Sequence, residues 1–237
     1  MEINRTRKLN NDQFYPATQV KKSIFLHHTA GTSASGAIDW WNQTPDHVGT
    51  AYVLDRDGTI YEVFDPKSWG YHLGVRGDDN WQEKHSIGIE LVSAGQLYKE
   101  KDGNFYFYPL FPNKAAAKKI DPSEVVSFKD EWRGFNHYHK YTEEQVIATK
   151  ELLKHLQKEH NIEKNVTPIR KLMEFNPKVC AQHWGGTFTH TSVRKDKNDL
   201  FPQEAMIKAI DEAVLKSKSV PSSPEYTTKS KRKSKKK

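Results

Sequence analysis

The sequence predicts a single α/β domain with a central mixed β-sheet flanked by helices. Three features carry that expectation: short apolar runs that end in glycine-containing loops, an Asp-Gly hairpin between two such runs, and two amphipathic helical stretches late in the chain. A length of 237 residues suits one large domain.

The elements follow in order. Residues 1–20 are polar and irregular and read as a lead-in segment. The run SIFLHH, residues 23–28, stopped by Thr29-Ala30-Gly31, reads as a buried strand entering a loop. Residues 35–42 suit a short helix with Ile38 and Trp41 inward. Residues 51–54 and 59–64 flank Asp57-Gly58 as a hairpin. SIGIELV, residues 86–92, is a further strand, apolar except at Glu90. Residues 96–140 are rich in aromatics without helical period and read as an insertion, a small hairpin packed over the main sheet. Thr142 and Gln145 form a capping box for the clearest helix, which shows Val146, Leu153 and Leu156 on one face up to about His160. A second helix starts near Pro202, with Met206, Ala209, Ile210 and Ala213 inward. Residues 217–237 are a low-complexity basic tail, expected to be disordered, which leaves 21–216 as the domain proper.

Charge sharpens this division. The formal net charge is +7, with 37 Lys and Arg against 30 Asp and Glu. Seven basic and no acidic residues fall within Lys229 to Lys237, so the rest of the chain holds 30 of each sign. The basic character belongs to the tail, which argues against a nucleic-acid-binding body. The single cysteine, Cys180, excludes an internal disulfide and a Cys-based zinc site, and reads as a buried structural thiol. No apolar run is long enough to span a bilayer.

Among the eleven histidines, His155 and His160 on a helix and His137 and His139 in the insertion read as solvated. His27 differs because it ends an apolar strand where a rigid scaffold presents ligands to a loop. Glu90 is a carboxylate inside an apolar strand. It either faces solvent or a lysine, or serves as a general base in a cleft. Around Gly185-Gly186 the sequence suggests a hairpin carrying His183 and His190, and Lys197 and Asp199 follow in a charged loop.

With these motifs in place, the chain resembles a known family. IFLHHTAG, GTAYVLDRDGTIYEVF, WGYHLG and SIGIELV, in that order, are similar to the zinc-dependent N-acetylmuramoyl-L-alanine amidases of the type 2 superfamily, which includes phage lysozymes and peptidoglycan-recognition proteins. The likeness is good over roughly residues 20–95 and looser over 142–215. It implies a Zn²⁺ held by His27, His190 and Asp199, with His28 as a packing neighbour. It implies Glu90 as general base, Lys197 or His72 as the group that stabilises the oxyanion, and Trp69 and Tyr52 as substrate contacts. His72 is placed at the rim of the site. The chain departs from the family in having Ala51-Tyr52 where His-Tyr is frequent, and His183 competes with His190 as second ligand.

The resemblance implies hydrolysis of the amide between N-acetylmuramic acid and L-alanine in bacterial peptidoglycan, as a wall-lysing endolysin or a recycling amidase. The aromatic insertion either extends the substrate groove or forms a satellite hydrophobic cluster. The N-terminal MEINRTRKLNNDQFYP lacks the apolar stretch of a secretory signal. That sets the expectation of synthesis in the cytoplasm, action on the cell wall and release through a separate pore. The expected partner is peptidoglycan, with an anionic wall polymer or membrane surface for the tail and no specific nucleic acid. Two other readings stand beside this one: a peptidoglycan-binding protein of the same fold without catalysis, and an anionic-surface binder driven by the tail.

Overall fold

The computed structural model describes residues 1–75, 79–109 and 114–216. The basic tail expected over 217–237 lies outside the described residues. The central sheet has the order β10-β1-β4-β2-β3. It comprises β1 (Ser23–His28), β2 (Tyr52–Leu54), β3 (Ile60–Glu62), β4 (Ser86–Leu91) and β10 (Gly186–Thr189). All neighbours pair in parallel except the β2–β3 hairpin, so the sheet is mixed. Gly58 turns that hairpin at φ 84°, a conformation that suits glycine.

Helices flank the sheet. The main core joins Ile24, Leu26, Ile87 and Ile89 to Leu152, Leu153 and Leu156 of α3 (Glu143–Glu159) and to Met206, Ile210 and Ala213 of α7 (Glu204–Val214). These residues alternate along the strands with Phe25, His27, Gly88 and Glu90, which face the other side. On that side Phe25 packs with Leu73, Val179, Phe188 and Val193 in a smaller cluster, while α1 (Ala34–Trp41) buries Ile38 and Trp41, which belong to the main core. Cys180 borders that smaller cluster half-buried rather than fully buried, at the end of the short helix α5 (Lys178–Ala181), which follows the equally short α4 (Ile169–Leu172). The capping box of α3 forms as expected: Thr142 Oγ1 accepts from Gln145 N–H, and Gln145 Oε1 accepts from Thr142 N–H, each at 3.1 Å. The Gln145 amide also donates to the carbonyls of Leu54 and Val92, fastening the helix start to the sheet.

Residues 1–20 form no regular strand or helix, but they are pinned to the domain. Arg5 makes two 2.9 Å hydrogen bonds to the Glu62 carboxylate, and Tyr15 stacks on Trp69 with centroids 4.1 Å apart.

Three further expectations change. Residues 96–139 are not a small hairpin but a second, antiparallel five-stranded sheet of order β7-β6-β5-β9-β8. Its strands are β5 (Gln96–Lys99), β6 (Phe105–Phe107), β7 (Lys118–Ile120), β8 (Val125–Trp132) and β9 (Phe135–His139). The Gly185-Gly186 pair does not turn a hairpin. It starts β10, a parallel edge strand beside β1, and the Asn165 side-chain amide bonds both N–H and C=O of Thr187 at 2.8 Å, closing its open edge. His139, expected at the surface, is buried and accepts a 3.1 Å hydrogen bond from Ala94 N–H. No helix among the described residues is long and apolar enough to cross a membrane.

Candidate metal centre

The site forms at the carboxyl ends of β1, β4 and β10, where parallel strands deliver side chains to one edge of the sheet. Parallel register sets His27 beside Glu90 and Leu26 beside Thr189. The chain therefore leaves β10 directly into α6 (His190–Val193), and His190 falls one step beyond the strand. Asp199 returns at the end of the next loop, which the Thr191 N–H to Asp199 C=O bond (3.0 Å) ties back to α6.

Three ligand-type atoms converge. His27 Nδ1 lies 3.0 Å from His190 Nδ1 and 3.1 Å from Asp199 Oδ2, and His190 Nδ1 lies 3.0 Å from Asp199 Oδ2. All three residues are buried. His190 Nε2 lies 3.0 Å from the Leu73 carbonyl. A carbonyl only accepts, so in the neutral ring Nε2 carries the hydrogen and Nδ1 presents a lone pair. A lone pair facing a carboxylate oxygen and a second imidazole nitrogen at this range is repulsive unless a proton or a cation lies among them. The triangle is also close to the roughly 3.3 Å edge of a tetrahedron with metal–ligand bonds of about 2.0–2.1 Å. The donor set therefore fits a divalent metal of zinc type.

Electrostatics agree with that fit. Burial, aided by neighbouring His190, lowers His27 to about 4, so its ring is neutral near pH 7. Burial would raise the Asp199 carboxyl, but His190 and His27 hold it well below the usual range. Burial, with Asp199 nearby, pushes the Glu90 carboxyl well above its ordinary value, and Lys197 pulls against that. Glu90 Oε2 is shut from solvent without a hydrogen-bond partner. These groups line a cleft of about 420 Å³.

The structure thus brings His27, Glu90, His190, Lys197, Asp199 and His72 to one place. His72 is not at the rim, however. Its ring is buried beside His27, with Nδ1 3.0 Å from His27 Nε2 and Nε2 2.8 Å from Ser86 Oγ. His183 stands elsewhere, stacked on Trp81 with centroids 4.0 Å apart. Two expected substrate contacts do not reach the cleft. Tyr52 pairs with Ile89, one residue out of step with Glu90, so it points to the opposite face and hydrogen-bonds Glu62. Trp69 is buried against Tyr15 and Tyr71.

Other residues reach the cleft without a sequence signal. Trp40 lines it while 59% exposed, next to inward-facing Trp41. Arg194 lines it too, its guanidinium held by Asp196 and by the Gly74 carbonyl. The second sheet braces the ligand loop: Trp132 Nε1 donates to Asn198 C=O, Asn198 Nδ2 to Gln96 Oε1, and Arg133 to Lys195 C=O.

The chain is similar to several solved structures. The catalytic domain of XlyA shares 17% identity, covering 89% of this chain and 99% of that one, with a TM-score of 0.48. A mutant endolysin from Bacillus subtilis shares 20% identity, with 68% and 79% coverage and a TM-score of 0.41. The N-acetylmuramyl-L-alanine amidase AmiD from E. coli, in complex with anhydro-N-acetylmuramic acid-L-Ala-D-gamma-Glu-L-Lys, shares 16% identity, with 67% and 50% coverage and a TM-score of 0.41. No curated protein sequence matches the chain. The model of the N-acetylmuramoyl-L-alanine amidase family matches residues 17–199, from the lead-in to the last residue of the His27–His190–Asp199 triangle, and the chain belongs to that family.

Proposed function

We propose that the protein is a zinc-dependent hydrolase of the amide between the lactyl group of N-acetylmuramic acid and L-alanine, acting on bacterial peptidoglycan as a wall-lysing enzyme. The observation that carries this is the convergence of His27 Nδ1, His190 Nδ1 and Asp199 Oδ2 beside the unpartnered Glu90 Oε2, in a chain of the amidase family. In this proposal His27, His190 and Asp199 hold the metal. Zinc bound there would supply Lewis acidity toward the scissile carbonyl and toward the attacking water.

The chain's own groups do the rest. Glu90 accepts a proton from the water that attacks the carbonyl carbon, then delivers it to the departing nitrogen of L-alanine. The C–N bond breaks, leaving a lactyl carboxylate and a free amine. A carboxylate raised by burial holds a proton more strongly than a solvated one, which suits Glu90 to take the proton of the attacking water. The Lys197 ammonium, on the cleft wall, opposes the charge that develops on the carbonyl oxygen. His72 is not given that task, since both its ring nitrogens are already engaged. The basic tail is proposed to hold the enzyme near anionic wall polymers. Deleting 229–237 should then reduce wall binding and spare cleavage of a small soluble substrate.

The test is cleavage of purified cell walls. New N-terminal alanine should appear, stop on chelation and return with zinc. Zinc-loaded protein that binds walls without releasing peptide would instead be a recognition protein of the same fold.

A further inference from the structure

One buried carboxylate has no part in that reaction, and its surroundings lead back to the metal ligands. Glu83, 1% exposed, lies on the short helix α2 (Trp81–Lys84). Its two oxygens accept the backbone N–H groups of His72 (2.9 Å), Leu73 (3.1 Å) and Gly74 (2.8 Å). Burial raises this carboxyl above its ordinary value and the three N–H donors pull it back, and both of its oxygens act as acceptors. The helix is itself anchored. Gln82 Nε2 donates to Ser23 Oγ, and Lys21 Nζ donates to the carbonyls of Lys84 and Ser68.

The loop so fixed touches both histidines of the centre from behind. The Leu73 carbonyl, on the same residue whose N–H is clamped, faces His190 Nε2 at 3.0 Å. His72 Nδ1 faces His27 Nε2 at 3.0 Å. The direction of that second bond follows from the far side of the His72 ring. Its Nε2 has Ser86 Oγ at 2.8 Å and a Glu83 carboxylate oxygen at 3.8 Å, and Ser86 can donate onward to the Glu83 carbonyl at 3.5 Å. A nearby carboxylate favours the hydrogen on Nε2. His72 Nδ1 then accepts, His27 donates from Nε2, and His27 Nδ1 is left bare toward His190 and Asp199. The opposite polarity would put a hydrogen on His27 Nδ1 and block it. Gly88 makes room for the arrangement: a Cβ there would lie 3.0 Å from His72 Nδ1.

We infer that Glu83, through the 72–74 loop, is the positioning residue of the metal centre. It presents His190 by way of the Leu73 carbonyl and His27 by way of His72, each through Nδ1. This rests on the proposal that His27, His190 and Asp199 hold zinc. Outer hydrogen-bond partners of this kind set ligand tautomer and ring orientation, and their loss typically costs 10- to 100-fold in metal affinity.

The experiment measures zinc affinity by competition with a chromophoric chelator, and ring ¹⁵N shifts of the metal-free protein, for the parent, His72→Phe, His72→Asn and Glu83→Gln. His72→Phe keeps a ring but no acceptor and should bind zinc about 10- to 100-fold more weakly while its metal-free form keeps its fold. In His72→Asn, Oδ1 stands where Nδ1 stood, so most of the affinity should return. Glu83→Gln replaces half the acceptor with an NH₂ group and should weaken zinc binding as well. The parent's His27 and His190 should both carry hydrogen on Nε2. Parent-like affinity in His72→Phe, or equal weakness in His72→Asn and His72→Phe, overturns the inference while the metal proposal stands. A parent that takes up no zinc overturns both. Should His72→Phe not fold, the parent spectrum decides: His27 protonated at Nδ1 overturns the inference.

Discussion

His27 and Glu90 are register partners on adjacent parallel strands, so a metal-ligand type of side chain and an orphaned carboxylate leave the same face of the sheet next to each other. Neighbouring strands lie about 4.8 Å apart, which keeps the two groups within reach of one small reactant. Glu90→Gln removes the proton acceptor and leaves the ligand triangle intact. Its amide cleavage should fall about 100- to 10,000-fold with zinc content unchanged. Parent-like turnover in zinc-loaded Glu90→Gln would falsify the assignment of the base.

Gly88 is paired with Phe25 one turn of the pleat below. An added Cβ would lie 2.6 Å from Thr50 Cγ2 and 3.0 Å from His72 Nδ1. Gly88→Ala is expected to cost about 1–3 kcal/mol of stability by overpacking and to weaken zinc binding by displacing His72. Denaturant titration together with zinc competition checks both halves, and a neutral result in both would mean that the sheet absorbs the methyl group.

Lys21 is buried, with Nζ donating to two backbone carbonyls. Burial lowers its amine from 10.5 to about 7, opposed by Asp65. Between these values the unfolded chain binds the proton more strongly than the folded one, so stability from this group rises with pH from about 7 to 10.5. Relative to Lys21→Met, the parent should gain up to about 1.4 kcal/mol per pH unit in that window and nothing below it. Chemical denaturation of both proteins at pH 6, 8 and 9 measures the difference. A constant gap would show that Lys21 titrates as a free lysine.

Trp40 exposes an indole on the cleft wall. Trp40→Ala should leave stability within about 0.5 kcal/mol of the parent and raise KM for walls several-fold with little change in kcat, since an exposed aromatic there contacts substrate in ground and transition states alike. Unchanged KM would remove Trp40 from the substrate path.

What could be read in advance was local. The Thr142–Gln145 cap, the Asp57-Gly58 turn and the SIFLHH strand each announce themselves within a few residues, and all form. The partners that assemble the site are distant. Gly185-Gly186 looks like a turn, and only the parallel pairing to β1 and the amide of Asn165 make it an edge strand. Phe105-Tyr106-Phe107 has no polar alternation, so its antiparallel sheet leaves no period to detect. The motif around Tyr52 sets it beside the site, yet one step of register turns it to the helix side. Glu83 sits in the polar stretch NWQEKH, where a clamp on three buried N–H groups looks like any surface glutamate.

The most direct measurement is the zinc content of purified protein dialysed against trace zinc, for the parent, His190→Ala and His183→Ala. The account predicts about one zinc per chain in the parent and in His183→Ala, and close to none in His190→Ala. A zinc-free parent, or loss of the metal in His183→Ala with retention in His190→Ala, would contradict it.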